Sequence, residues 1–108
     1  MSAVGNVFAM KTFSFGSGKT WAATDTVTAV EQSVSAPGVK TTDLILVQKP
    51  THQSGLSYNP MARCDADGTI KILFINPTAG NLTATAEESW SGVILRSEQP
   101  LIADNATI

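Results

Sequence analysis

The chain has 108 residues, 15% of them charged, and seven Lys plus Arg against nine Asp plus Glu leave a formal charge of −2. That length makes one domain with a real core, not two. The charges are scattered without runs, which excludes the clustered basic face of a nucleic-acid binder and a polybasic patch for anionic lipid. About a quarter of residues are charged in an ordinary domain; this chain carries Ala, Gly, Ser and Thr in their place. Either part of its surface is hidden in an assembly, or it is a soluble domain with a Thr/Ser-rich β surface. No apolar run approaches the roughly 20 residues of a spanning helix. The opening Met-Ser-Ala-Val-Gly lacks the basic start of a secretory signal, so synthesis in a cytoplasm is expected.

Residues 1–22 read as an extended N-terminal arm, with Phe13 and Phe15 alternating with Thr12 and Ser14 as a short edge strand. Gly16-Ser17-Gly18-Lys19-Thr20 invites comparison with a phosphate-binding loop, but Phe13 stands where the first glycine of that motif belongs, and no helix pattern follows. The segment is a turn. Residues 23–100 form the domain. From Thr26 to Ala36 the β-branched content and the following Pro37-Gly38 predict a strand with room for a bulge. Leu44-Ile45-Leu46-Val47 is apolar at every position, the pattern of a central strand covered on both faces. Residues 51–60 are a polar loop in which Leu56 and Tyr58 alternate as though starting another strand.

The stretch from Met61 to Asn76 is the clearest hairpin. Asp67-Gly68 separates two extended runs and predicts a type I′ turn. Ile70, Ile72 and Phe74 share one face of the second arm, and Lys71, Leu73 and Ile75 the other. Asn76-Pro77 stops the strand, because proline has no N–H for the ladder. Leu82, Ala84 and Ala86 alternate with polar residues, and Trp90 opens the last strong strand, closed by Pro100. Residues 101–108 are a C-terminal tail. About seven strands with no helix predict an all-β fold, an antiparallel β-sandwich of Ig-like or jelly-roll topology.

Chemistry-bearing residues are sparse. His52 is the only histidine, and a polar loop gives it no orienting partner, so neither a metal site nor a Ser-His-Asp arrangement is expected. Glu87-Glu88 point to opposite faces of a strand and cannot flank one bond; they read as a solvated strand entrance. Asp65 and Asp67 share a face, but no spaced ligand loop accompanies them. Cys64, the single cysteine, alternates with Ala62 and Ala66 and reads as a small buried hydrophobe. Of the aromatics, Trp90 reads as core and Trp21 as a subunit contact. No metal, cofactor or catalytic residue is expected.

Thr-Val-Thr-Ala-Val-Glu-Gln at 26–32, Pro-Gly-Val at 37–39 and Thr-Asp-Leu-Ile-Leu-Val-Gln-Lys-Pro at 42–50 precede Ala-Arg-Cys-Asp-Ala-Asp-Gly-Thr-Ile-Lys-Ile-Leu-Phe-Ile-Asn-Pro-Thr-Ala at 62–79 and the Trp90–Arg96 strand. With these features residues 26–96 resemble the small β-sandwich cement or decoration proteins of tailed-bacteriophage heads, and also some fibre-associated modules. The resemblance implies a non-enzymatic homotrimer on the outer surface of the virion, clamping neighbouring subunits of the major capsid protein. On that reading Phe8, Phe13, Phe15 and Trp21 are the contacts made by the arm. A tail-fibre or receptor-binding module, presenting loop aromatics such as Tyr58 to a host glycan or protein, is the alternative. A small hydrolase-like or lectin-like domain, with His52 as its one obvious base, is a third reading.

Overall fold

The computed structural model describes residues 8–97. These form nine strands and no helix: β1 (Phe8–Phe15), β2 (Ala23–Thr24), β3 (Thr28–Ser35), β4 (Leu44–Gln48), β5 (Ser57–Tyr58), β6 (Met61–Ala66), β7 (Thr69–Asn76), β8 (Leu82–Thr83) and β9 (Trp90–Ser97). Seven of them make one antiparallel sheet in the order β1-β9-β4-β6-β7-β3, with β5 also on β7, and β2 pairs with β8 in a second, small sheet. The all-β antiparallel sandwich is the expected fold class.

The two layers are joined by a strand that changes partners. Met61 and Ala62 of β6 pair with β4, whereas Arg63, Cys64 and Ala66 pair with β7. Just before the switch, Asn59 N–H donates to the Leu73 carbonyl at 2.9 Å, and the Pro60 carbonyl accepts from Val47 N–H at 2.8 Å. A strand that leaves one partner for another turns a corner, which folds one sheet over itself. β1, β9 and β4 then lie in one layer, and β3, β7 and β5 in the other.

Alternation fills the space between the layers. Ile45 and Val47 of β4, Ile70, Ile72 and Phe74 of β7, and Trp90 and Ile94 of β9 are all buried. Trp90 is the hub: Phe15, Trp21, Tyr58 and Phe74 ring centroids lie 5.7, 5.5, 5.0 and 6.0 Å from its own. Phe13 joins through Phe15 at 5.4 Å. Burial of so much aromatic area dominates core energetics, and the tilted and edge-on geometries suit the ring quadrupoles.

Several expectations are corrected. The described part of the arm, from Phe8 onward, is built into the domain, because β1 pairs along its whole length with β9, from Phe8 opposite Ser97 to Phe15 opposite Trp90. Residues 1–7 and the tail at 101–108 lie outside the described residues. The hairpin turn is not type I′: Gly68 takes a positive φ of 82° but Asp67 does not, and the register shifts between Cys64 and Ala66. A left-handed glycine beside an extra residue is the bulged alternative to a two-residue primed turn. β3 runs in unbroken register with β7, from Thr28 opposite Asn76 to Ser35 opposite Thr69, with no bulge. Finally, β4 is covered on one face only, since Leu44 and Leu46 remain 60% and 46% exposed.

Candidate interaction surface

Of the four residues expected to contact a neighbour, three face inward. Phe15 and Trp21 are 6% and 3% exposed, and Phe13 packs, half-buried, against the same core. Parity explains this: Phe13 and Phe15 lie opposite Gly92 and Trp90, both on the inner face of β9. Gly92 leaves room that the Phe13 ring fills, and a Cβ there would overlap it. Phe8 opens β1; its side chain lies outside the described residues. Within the domain, then, the expected arm contacts are core packing.

On the opposite parity of these strands and their neighbours β4 and β6, apolar residues reach solvent; Val27, Val30 and Ile75 are exposed elsewhere, on and beside β3 and β7. Met10 lies opposite Leu95, and Leu95 opposite Leu44, giving one row across β1, β9 and β4. Thr12, Val93, Leu46 and Met61 form the next row, which reaches β6. Ser14, Ser91 and Gln48 form the third. Met10, Leu44, Leu46 and Met61 are 71%, 60%, 46% and 60% exposed. No residue in these three rows is charged. An exposed contiguous apolar patch rimmed by polar residues marks an interaction site more often than single exposed hydrophobics do.

The outer face of the other layer has the opposite character. Arg63 on β6 grips Glu31 on β3 through two hydrogen bonds of 2.7 Å, from Nε and a terminal nitrogen. Lys71 on β7 lies 3.1 Å from the Asp65 carboxylate. The hydrogen bond from Arg63 holds the Glu31 carboxyl below its ordinary range, and that from Lys71 does the same for Asp65. The face of β3 and β7 carries paired charges beside Leu73 and the exposed Ile75, whereas the three rows across β1, β9 and β4 carry no charge and are apolar in two of the three.

Elsewhere the polar clusters are occupied structurally. The Lys49 ammonium is nearly enclosed and donates to the Thr51 carbonyl and hydroxyl, both at 3.0 Å, and to Glu88 at 2.7 Å. Glu88 also accepts from the Thr51 hydroxyl, and these bonds, that from Lys49 first, lower its pKa. Glu88 is therefore a half-buried ion-pair partner and not a solvated strand entrance; a neighbour 39 residues away in sequence supplies the charge. Asp43 is held by Arg96 through two bonds of 2.8 and 2.7 Å, which depress its pKa. Asn76, fully buried, donates to the Thr24 and Gly80 carbonyls and accepts from Thr78, pinning the turn after β7. Asp67 accepts from Thr41 N–H. His52 is exposed in its loop, Cys64 is buried, and Lys19 N–H closes a turn on the Gly16 carbonyl. Among the described residues no group of three His, Cys, Asp or Glu converges as metal ligands would.

The apolar surface was visible in the sequence only through Leu44 and Leu46, and the four-residue run made them look covered. Met10 and Met61 gave no signal, because their places in the rows follow from pairings with β9 and β4 that are remote in sequence. Comparison with protein-family models, with curated proteins and with solved structures finds no match to this chain.

Proposed function

We propose that this protein is a non-enzymatic assembly component that buries the outer face of β1, β9 and β4, with Met61 of β6, against a protein neighbour. Its setting is the one the resemblance implies, a decoration protein on the outer surface of a tailed-phage head. The observation that carries this reading is the contrast between the two outer faces. Interface cores are depleted of charge and enriched in large apolar side chains such as Met, and Met10, Leu44, Leu46, Met61, Val93 and Leu95 meet that description. The neighbour is the folded surface of the major capsid protein. Binding to an assembled lattice and not to free subunits stabilises the shell by mass action.

The variant Leu46→Glu tests it. Leu46 is exposed in the monomer, so the substitution changes fold stability by no more than about 0.5 kcal/mol. It places a charge in the middle of the proposed contact, and cosedimentation with phage heads drops at least tenfold relative to the unmodified chain. Equal binding by the variant overturns the surface assignment. Binding of the unmodified chain to host glycan or cell-surface protein, with none to heads, replaces the capsid setting with the receptor-binding one.

A further inference from the structure

The sheet has two edges, β1 and β3, and they are protected differently. At β3, the buried side-chain amide of Gln32 accepts from Ala22 N–H at 2.8 Å and donates to the Ala22 carbonyl at 2.9 Å, which holds the segment leading into β2 against that strand. β1 has no such cover: among the described residues its only strand partner is β9. It runs eight residues, Phe-Ala-Met-Lys-Thr-Phe-Ser-Phe, with neither proline nor bulge and one charge. Natural proteins blunt long edges with prolines, bulges, several charges or a covering segment, because unpaired N–H and C=O groups template another strand. This edge is also continuous with the apolar face, through Met10.

We propose that β1 pairs antiparallel with β1 of a second copy, across a two-fold axis through Thr12. A second copy is the occupant because the edge is self-complementary, and register shows how. Residues directly opposite in an antiparallel pair point to the same face, so a two-fold must match residues of like parity and pass through a residue. Axes through Lys11 or Thr12 pair seven of the strand's eight residues, and any other axis pairs five or fewer. An axis through Lys11 sets two ammonium groups directly opposite each other, which destabilises the pair. An axis through Thr12 sets threonine against threonine, a favourable cross-strand pair. It places Lys11 opposite the partner's Phe13, Met10 opposite the partner's Ser14 and Ala9 opposite the partner's Phe15. The two layers containing β1 become one sheet, in which the row of Thr12, Val93 and Leu46 runs on into the same row of the second copy, while each Met10 row meets the second copy's Ser14 row. The result is a dimer, where the resemblance implies a trimer.

The inference is independent of the proposed capsid setting and is tested on the purified protein alone. Light scattering of the unmodified chain gives the mass of two copies. In a Cys64→Ala background, Thr12→Cys oxidises to a disulfide-linked dimer, because opposite residues have Cα atoms about 4.5–5.5 Å apart, within disulfide reach. Ser14→Cys in the same background does not, since its counterpart lies about 13 Å along the partner strand. Thr12→Lys, which leaves the core untouched, shifts the mass toward one copy. A monomeric mass, a trimer without the Thr12 cross-link, or cross-linking through residue 14 as efficient as through residue 12 overturns the proposal. Leu46→Glu lies two strands away and leaves the cross-link intact, so loss of head binding and loss of edge pairing are read separately.

Discussion

Gly92 shows how one missing atom organises an edge. It lies opposite Phe13 on the inner face, and that ring occupies the volume a side chain would take. Gly92→Ala therefore costs about 2 kcal/mol, the range for overpacking a filled core, measured by urea unfolding. In a Phe13→Ala background the same substitution costs less than about 0.5 kcal/mol, because the clash is gone. A double-mutant cycle isolates the coupling, and additive costs would mean that the ring is not what Gly92 accommodates. A second unusual residue is Val27, exposed and at a positive φ of 50°, where a β-branched residue is rare. Its N–H donates to the Thr78 carbonyl, which holds the turn before β3 against the turn after β7.

Between elements, polar side chains fix what the apolar core leaves free. Lys49 follows the end of β4 and Glu88 precedes β9, so their ion pair ties the two chain segments together at one end of the layer. Lys49→Met leaves a half-buried carboxylate with only the Thr51 hydroxyl, and the expected loss is about 3 kcal/mol in chemical denaturation. Lys49→Met with Glu88→Leu recovers most of it; a double variant as unstable as the single one would count against uncompensated charge as the cause. Such long-range pairs are where sequence reading stopped. β6, β7 and β9 were legible because alternation and turn residues are local signals: Ile70, Ile72 and Phe74 are buried as their parity requires. The exposure of Leu44 and Leu46 was not, since four apolar residues in a row look alike whether the second face meets another layer or solvent. The same limit turned Phe13, Phe15 and Trp21 into expected surface contacts: nothing near residue 13 in sequence announces a glycine at 92.

At the scale of the molecule, carboxylates set the response to acid. Asp43 and Glu88 are held below their ordinary range chiefly by hydrogen bonds from Arg96 and Lys49. Glu31 and Asp65 are lowered too, by Arg63 and Lys71, but on a solvent-facing surface such pairs are screened and contribute little. A group whose folded pKa is depressed adds stability that is full above its unfolded value, near pH 4, and is lost as pH falls through the folded value. The thermal midpoint therefore stays level from pH 7 to about pH 5 and drops below about pH 4. The Asp43→Asn, Glu88→Gln variant melts lower than the unmodified chain at pH 7 and loses less on acidification. An unchanged acid slope in circular-dichroism melts would assign the drop to other groups.

The pairing of β1 with β9 also orders events in time. β1 ends at Phe15 and its partner begins at Trp90, so among the described residues the first strand made waits for the last. During synthesis the β6–β7 hairpin and β3 can meet early, while the layer of β1, β9 and β4 stays incomplete until Trp90 leaves the ribosome. For that interval the pocket around the missing indole is open, and β1 is a free strand with both edges bare. Newly made chains at high local concentration can then exchange β1 between copies, and slowing translation through the β9 segment would raise the yield of entangled dimers that dilution alone does not separate.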